Sequence, residues 1–515
     1  MSSSSGELLS QSTSGQEEED AREEELIQEE KKKKDEHYRL GARPPLITIL
    51  SLLAGPLISQ LTNAFYGIID SMYISKFVGP YGLTVVSSCY VIDYVAIAFG
   101  NFLNIATSSK ISYLYGSGRQ NEAPQVLADL IRVALIIGVL IPAILLPSTK
   151  PLLLWLSNDQ SIANEGFYYV LPHMCCSFSA TMYLCVLGVL EAEGRTWTFG
   201  FCQLSSLIAN MALWDPLLLI GVKTGVWGAS LATVLSEFVP MSAIVICLFK
   251  GRFTTRLHWR LFVQKFNKET YNALLVAISA LLMNLSTTIP EVVLQKFVSN
   301  AARAIGEFND IMALWNILLR LYQLAICIIL AFNTAYLPPT SYAFGAGRYK
   351  RILFLSLHAF WIMCLWTMIV TIVMCIWPDK IAGIWNSTER ILYWAKIIIP
   401  NNFYTMMLCP MRMLTASFLQ AIKKPLLAGL VSVFTSLLPL PIFSTITYLN
   451  NKTDPGEIFK AYIYNDTFSF VVSFCFAGVS MYKLLRSKKN DNENGNSSSN
   501  NSYEEEVNEE MPAEA

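Results

Sequence analysis

The most constraining feature of the sequence is an apolar stretch, residues 46–73, that is long enough to cross a bilayer and yet carries a carboxylate near its end. A hydrocarbon core about 30 Å thick requires roughly 20 apolar residues of helix, and this stretch supplies them. Gly55 and Pro56 lie inside it. A proline within a helix removes a backbone donor and crowds the preceding turn, so we predict a helix kink at Pro56.

One face of this helix is polar. Gln60, Asn63, Gly67 and Asp70 recur at three- and four-residue steps and therefore share a stripe that must face protein or water. An ionised Asp at membrane depth costs about 2.5–3.5 kcal/mol on insertion scales, so such a residue usually marks a functional site. The alternative is that Asp70 only caps the outer end of the helix.

The composition extends this interpretation to the whole chain of 515 residues, which is 53% hydrophobic and 15% charged. Its mean hydropathy of +0.41 is unusual for a soluble protein. We predict an all-α polytopic membrane protein with twelve transmembrane helices. The apolar runs lie at 46–73, 83–108, 126–156, 166–190, 197–220, 226–249, 271–297, 308–336, 352–377, 391–420, 425–449 and 459–482.

Charge is segregated along the chain. Residues 1–40 and 483–515 are predicted to be disordered tails, because their polar, charged composition cannot bury enough apolar surface. Between them we predict an N-lobe of six helices (41–249), a basic inter-lobe loop (250–270) and a C-lobe of six helices (271–482). The short loops on one side hold most of the Lys and Arg residues, which assigns that side and both termini to the cytosol.

An internal repeat relates the two halves. Ser112–Arg119 and Ser341–Arg348 match at a constant offset of 229, with Ser, Tyr, both Gly and Arg recurring. Each segment ends an even-numbered span, so the halves have the same orientation and form a parallel repeat, an arrangement that places a binding cavity between two lobes. The alternative is a chance pair of glycines, since glycine commonly ends helices.

Metal and catalytic sites find little support in the sequence. The eleven cysteines lie mostly in apolar runs without the spacing of a metal site, and the four histidines are scattered. We therefore expect no metal centre and no cofactor, and we expect that the chain is not an enzyme.

Taken together, these residues resemble the multidrug and toxic compound extrusion (MATE) family of cation-coupled antiporters over residues 45–480. The resemblance implies a twelve-helix transporter that exports amphipathic or cationic organic molecules in exchange for H⁺ or Na⁺. The motifs that carry it are Pro56, Gln60 and Asp70, Tyr115-Gly-Ser-Gly-Arg119, Glu193-Gly-Arg195, Asp215-Pro216, residues 225–233 and Gly345-Ala-Gly-Arg-Tyr-Lys350.

The resemblance also implies a cation site in the N-lobe. Asp70, Asp215 and Thr233 match its members and are possible Na⁺ ligands. The family's Asn four residues before the fifth-helix Asp falls on Met211, whereas Asn210 lies one place earlier and about 100° round the helix. The family's seventh-helix acid falls near Thr287, and the nearest acid in this sequence is Glu291.

Span geometry agrees with an N-lobe site. A rise of 1.5 Å per residue places Asp70, Asp93, Asp215 and Thr233 in the outer half of the first lobe. Carboxylates gathered there repel one another, so they are suited to exchanging a proton or to holding Na⁺, and the sequence favours neither.

Further polar residues mark a possible path for substrate or cation. These are Gln60, Asn63, Asn210, Glu291 and Arg320. A buried Arg320 would need an acidic partner, and Glu291 is the nearest candidate.

Two other functions remain open. A lipid-linked saccharide flippase of the same superfold would need a cavity rich in basic side chains, and a channel also has polar helical stripes. We expect a monomer in the plasma membrane or an endomembrane. Its expected partners are a small organic cation or amphipathic substrate and the lipid bilayer, with no nucleic acid.

Overall fold

The computed structural model describes residues 37–78, 80–157, 160–384 and 388–493, and all regular structure in them is helical. The first half contains α1 (Pro45–Phe77), α2 (Pro80–Gly116), α3 (Ala123–Ser157), α4 (Gln160–Cys175), α5 (Ser177–Ala192), α6 (Thr196–Ala209) and α7 (Val226–Phe249). The second half contains α8 (Lys268–Ala304), α9 (Phe308–Gly345), α10 (Tyr349–Ile376), α11 (Pro378–Gly383), α12 (Glu389–Phe403), α13 (Cys409–Ala421), α14 (Pro425–Ser432), α15 (Pro439–Asn450) and α16 (Pro455–Glu493). Short π turns occur at Tyr38–Ala42, Asn210–Trp214, Pro216–Val222 and Val433–Leu437, and 3₁₀ turns at Gln120–Glu122, Trp259–Val263 and Met406–Leu408.

The predicted all-α fold is confirmed. Within the described residues, nine helical stretches are long and apolar enough to cross a membrane, and α4 with α5, bent by 48°, makes a tenth. The 37-residue α2 and the α12–α13 pair complete the twelve passages of the two lobes.

Two spans are broken rather than continuous. The fourth passage bends at Cys176, four residues after Pro172. The tenth is interrupted between Phe403 and Cys409, and prolines lie on both sides of the break at Pro400 and Pro410. Because a proline cannot donate a backbone hydrogen bond, these positions favour an interruption.

The first span runs through Pro56 as one helix, and the predicted kink stays a prediction. The neighbouring Gly55 has a packing role. A Cβ added there would lie 1.7 Å from the carbonyl oxygen of Thr196. Only a glycine therefore allows α1 and the start of α6 to approach this closely.

The two copies of the repeat pack directly against each other. We call the end of the bundle where α2 and α9 finish, and where α1, α8 and α10 begin, the basic end. A Cβ added to Gly116 would lie 2.0 Å from the carbonyl oxygen of Tyr342, and one added to Gly345 would lie 2.3 Å from that of Tyr113. Adding the repeat offset of 229 to Gly116 and Tyr113 gives Gly345 and Tyr342, so the two contacts are equivalent. The repeat therefore forms a pseudo-symmetric contact between the lobes.

Polar contacts reinforce this junction. Lys110 of α2 and Arg119, three residues after the end of α2, both form ion pairs with Glu269 at the start of α8. The buried carboxylate of Asp129 on α3 accepts a hydrogen bond from the backbone N–H of Asn267, at 2.8 Å. The basic end is therefore closed by backbone packing and by charge pairs that cross from one lobe to the other.

Among the described residues, the hydrophobic cores of the two lobes share residues toward the basic end. In the described part of the chain, the core of the C-lobe includes Ile49 of α1. The largest N-lobe core includes Ala273, Ala277, Ala335 and Tyr342 from α8 and α9. Two smaller clusters toward the opposite end consist of N-lobe residues alone. Within the described residues, the lobes thus share core at the basic end, and the clusters toward the other end belong to single lobes.

The ordered body begins earlier than the predicted tail boundary at residue 40. Leu40 is fully buried, and its carbonyl accepts a hydrogen bond from Arg351 at 3.0 Å. The His37 ring lies 2.7 Å from the Tyr342 hydroxyl. Burial, with the nearby guanidinium groups, lowers the pKa of His37 below its usual value.

At the other terminus, α16 continues to Glu493, past the predicted start of the tail at residue 483. Both corrections have one cause. Residues 37–40 and 483–493 are polar in sequence, but the first segment docks on the repeat and the second extends a membrane helix. The remaining tail residues, 1–36 and 494–515, lie outside the described residues.

Candidate functional site

The fifth span contains a π turn, Asn210–Trp214, immediately before Asp215. The N–H of Asp215 donates to the carbonyl of Asn210, five residues earlier. A π turn holds one residue more than an α turn. That extra residue cancels the one-place displacement of Asn210, so the expected 100° offset of Asn210 from the family's position at Met211 does not occur.

Asn210 links two carboxylates. With its amide oriented to satisfy its neighbours, the nitrogen lies 2.9 Å from Asp215 Oδ2 and 3.0 Å from Asp70 Oδ1, and the oxygen accepts from the Tyr66 hydroxyl at 3.1 Å. The carboxyl groups of Asp70 and Asp215 are also within hydrogen-bonding contact of each other. Asn210 and Asp215 are buried, and Asp70 is partly buried. We call Asp70, Asn210 and Asp215 the carboxylate cluster.

Helix α7 also borders the site, in addition to α1 and the segment that follows α6. The Tyr66 hydroxyl lies 2.8 Å from Ser236 Oγ and is also close to Thr233 and Glu237. Thr233 donates to the carbonyl of Ala229 in its own helix, so it borders the site rather than bridging the carboxylates. The sequence analysis did not identify three of these residues: Tyr66, Ser236 and Glu237. A signal was available for Glu237, because it is an acid inside the apolar run 226–249.

The cluster is suited to binding a proton or a hard cation. Asp215 Oδ1 is buried, with no hydrogen-bond partner among the described residues. Two carboxylates in contact repel when both are ionised, so a shared proton or a cation liganded by oxygen atoms stabilises the pair. No group of three His, Cys, Asp or Glu side chains with metal-site geometry occurs in the described ranges.

The described contacts of the carboxylate cluster do not include the other predicted N-lobe residues. On α1, Gln60 is partly buried and Asn63 is exposed, and neither has a described contact with the carboxylate pair. Asp93 lies on α2, and its side chain is outside the described part of the structure.

The expected pairing of Glu291 with Arg320 is wrong. Arg320 is exposed on α9 and so has no need of a buried acid. The cation beside Glu291 is Arg412 of α13, which also lies near Asp466 of α16. The pattern within one span cannot show which distant helix will pass beside it.

These residues form a second polar cluster, inside the C-lobe. Glu291, Arg412 and Asp466 line a cavity of about 30 Å³, large enough for one or two water-sized ligands. Thr405 donates to Asp466 Oδ2 at 3.1 Å. Arg412 and Asp466 were missed at the sequence level, although each is a charged residue within a predicted span.

Comparison with known proteins supports the same architecture. The sequence pattern of the family described as MatE matches residues 56–214 and 276–444, one segment in each lobe. The Multidrug export protein MepA of Staphylococcus haemolyticus (strain JCSC1435) is 22% identical over 428 residues, 81% of this chain and 90% of that protein. The same-named protein of Staphylococcus aureus (strain NCTC 8325 / PS 47) is 21% identical over 427 residues, 81% and 91%.

Solved structures share the fold. "Crystal structure of MATE in complex with MaL6" aligns with a TM-score of 0.80 at 21% identity, over 88% of this chain and 99% of that chain. "Outward-facing conformation of a multidrug resistance MATE family transporter of the MOP superfamily" aligns with a TM-score of 0.79 at 21% identity, over 86% and 97%.

Proposed function

Because the matched segments cover more than half of the sequence, the chain belongs to the MatE family, and we propose that it exports organic cations or other amphipathic compounds in exchange for H⁺ or Na⁺. As a member of this family it is a transport protein and not an enzyme. The observation that carries the proposed coupling is the carboxylate cluster, in which Asn210 joins Asp70 and Asp215. Its coupling ion is a transported substrate and not a resident cofactor.

Ion occupancy would be coupled to helix packing through the cluster. Asp70 is on α1 and Asp215 follows α6, and these two helices also pack closely where Gly55 meets Thr196. When both carboxylates are ionised, their repulsion favours separation of the helices, and a bound H⁺ or Na⁺ removes that repulsion. The ion therefore selects between two arrangements of the N-lobe.

The contact between the lobes supports alternating access. The basic end is closed by the Gly116–Tyr342 and Gly345–Tyr113 contacts, whereas the cores separate toward the opposite end. We assign the basic end to the cytosol, because short cytosolic loops are enriched in Lys and Arg. Both termini then lie in the cytosol, and the structure corresponds to the state that is open to the other side.

The proposed substrate class rests on the relatives and on the site. MepA is named a multidrug export protein. A cluster with two acidic side chains favours cations over anions near it. We propose a monomer with two lobes that bind the substrate between them, within the plasma membrane or an endomembrane, and with no nucleic-acid partner.

Transport by purified protein tests this function. The protein is reconstituted in liposomes loaded with a fluorescent amphipathic cation, and a pH or Na⁺ gradient is imposed. The cation should move against its own concentration gradient under one of these conditions and stop when an ionophore dissipates the gradient. Flux that only equilibrates the dye and ignores both gradients would identify a channel. Movement restricted to a lipid-linked saccharide would identify a flippase.

A further inference from the structure

Lys423 occupies a helix end where its counterpart in the other lobe is a glycine. The repeat offset relates Gly118 to Gly347 and Gly194 to Lys423, and all four have a positive φ, between 56° and 71°. The backbone bonds correspond as well, since Gly194 donates to Glu191 and Lys423 to Gln420. Glycine adopts this conformation readily at helix ends, and a lysine is strained there. Such strain often accompanies a functional side chain.

The side chain of Lys423 crosses to the other lobe. Its Nζ lies 3.0 Å from the centre of the Tyr113 ring on α2, and Lys110 of the same helix is also close. The ion pairs found in the described residues do not include Lys423. Burial and the Lys110 ammonium group lower the pKa of Lys423 to about 7.

Positive charge is in excess around Lys423. The cations are Lys110, Arg119 and Lys423, and the carboxylates that face them are Glu122 and Glu269. Glu122 accepts from Arg119 with both oxygens, at 2.7 and 2.8 Å, and Glu269 accepts from Lys110 and Arg119. With these pairs formed, one positive charge is left over, and it belongs to Lys423.

Lys110 and Lys423 line a cavity of about 360 Å³ at the junction of the lobes. Ser109 and Asn272 add polar groups, and the remaining lining is apolar: Ala106, Ala273, Leu275, Val276 and Pro425. Leu275 of the lining is 50% exposed. Ile278 on the same helix and Leu426, which follows Pro425 of the lining, are also exposed, so apolar surface flanks the cavity. A lining with ammonium groups and apolar walls fits an anionic amphiphile.

We propose that this cavity binds the phosphate group of an anionic phospholipid, with Lys423 from the C-lobe and Lys110 from the N-lobe as its ammonium partners. Basic pockets between membrane helices on the cytosolic side suit anionic headgroups, because that leaflet carries negative charge. A phosphate contacting both lysines joins the two lobes, so its binding favours the closed basic end. This binding site does not depend on whether the chain transports organic cations.

The test uses the full chain, delipidated in neutral detergent, and the substitution Lys423→Gly. Glycine suits the positive φ of this position, so the variant should fold at least as well as the parent protein. The matched control is Lys424→Gly, which removes the adjacent cation outside the cavity lining. Phosphatidylglycerol, phosphatidylcholine and inorganic phosphate are titrated separately, and binding is followed by native mass spectrometry and by the shift in thermal unfolding temperature.

We expect phosphatidylglycerol to bind the parent protein and Lys424→Gly with similar affinity, and Lys423→Gly about tenfold more weakly, as for the loss of one charge-assisted hydrogen bond. Phosphatidylcholine should bind weakly to all three proteins. Equal phosphatidylglycerol affinity of Lys423→Gly and the parent protein would overturn the proposal. Binding of inorganic phosphate as tight as that of the lipid, and equally dependent on Lys423, would support the phosphate site and assign it to soluble phosphate.

Discussion

At the scale of single residues, Asn210 allows two neighbouring carboxyl groups to share one site. Its amide nitrogen is the common donor to Asp70 and Asp215, and its oxygen accepts from Tyr66. An amide supplies these contacts without adding a charge. Replacing it removes the shared donor and leaves the repulsion between the carboxylates.

The substitution Asn210→Leu tests this role. Because a hydrogen bond to a charged group contributes about 1.5–3 kcal/mol, we expect gradient-driven transport to fall at least tenfold. The control is Asn300→Leu, which changes an exposed amide on α8. Initial transport rates in liposomes containing equal amounts of folded protein give the comparison. If Asn210→Leu transports at the same rate as the control, Asn210 is not part of the coupling site.

Lys423 gives a prediction about pH. Its pKa in the folded protein, about 7, is far below the usual value of 10.5 for lysine. Between these values the unfolded chain binds the proton and the folded chain does not, so stability should rise with pH across this interval in the absence of lipid. Phosphate binding needs the charged form and should weaken above pH 7.

The measurement is thermal unfolding of the parent protein and of Lys423→Gly from pH 6 to pH 9, with and without phosphatidylglycerol. The rise with pH of the stability difference between the two proteins should flatten when the lipid is added, because bound phosphate keeps Lys423 in the ammonium form that the unfolded chain also has. The facing groups Lys110, Arg119 and Glu269 are the same in both proteins. Identical pH profiles would contradict the assignment.

At the scale of single elements, the π turn of the fifth span decides which side chains meet. In a regular α helix, Asn210 and Asp215 would lie about 140° apart, since five residues turn the helix by about 500°. The π turn aligns them. The apolar pattern of the span does not distinguish a π turn from an α turn, and this is why the sequence indicated an offset.

Deletion of Ala212, an exposed residue inside the π turn, tests this account. The deletion should convert the turn to a regular α turn and place the amide four residues before the acid, so transport should be largely retained. The control exchanges Asn210 and Met211, which places the amide at the same four-residue spacing but leaves the π turn intact. This exchange should abolish coupled transport. The reverse outcome, an active exchange and an inactive deletion, would contradict the geometry.

Much of the fold could be predicted from sequence because its signals are local. The twelve passages follow from apolar length, and the repeat from matching helix ends. The Asp70 and Asp215 carboxylates stand out because acids are costly in lipid. The partner of Glu291 could not be predicted, because Arg412 reaches it from a helix far along the chain.

At the scale of the whole molecule, the repeat forms the contact that closes one end of the transporter. The carbonyls of Tyr342 and Tyr113 occupy the space that a side chain would need at Gly116 and Gly345. The same motif therefore ends a helix in each lobe and joins the lobes. This contact must open if substrate is to enter from the basic end.

Gly345→Ala should weaken the closed state by about 1–3 kcal/mol, the usual cost of overpacking. The control is Gly478→Ala, because a Cβ at Gly478 meets no atom within 4 Å. Closure is measured through the pair Ser109→Cys and Ser341→Cys, whose native hydroxyl oxygens lie 3.2 Å apart. Disulfide formation between the lobes, detected after proteolysis of the inter-lobe loop, should slow in Gly345→Ala only. Equal rates in both variants would show that the glycine does not control closure.

The central claim is that the carboxylate cluster couples ion movement to export, and Asp70→Asn tests it most directly. The amide keeps the size of the side chain but cannot exchange a proton near neutral pH, and it ligates Na⁺ more weakly because it carries no charge. A tenfold accumulation requires about 1.4 kcal/mol, and one charge crossing 100 mV supplies about 2.3 kcal/mol, so one coupling site is sufficient.

The measurement is accumulation of an amphipathic cation against its gradient by the parent protein and Asp70→Asn in matched liposomes, with substrate binding measured in parallel. We predict that Asp70→Asn folds, binds the substrate and shows no gradient-driven accumulation. Accumulation by Asp70→Asn at the rate of the parent protein would contradict the account. It would show that Asp70 only caps the helix end and does not couple ion movement to export.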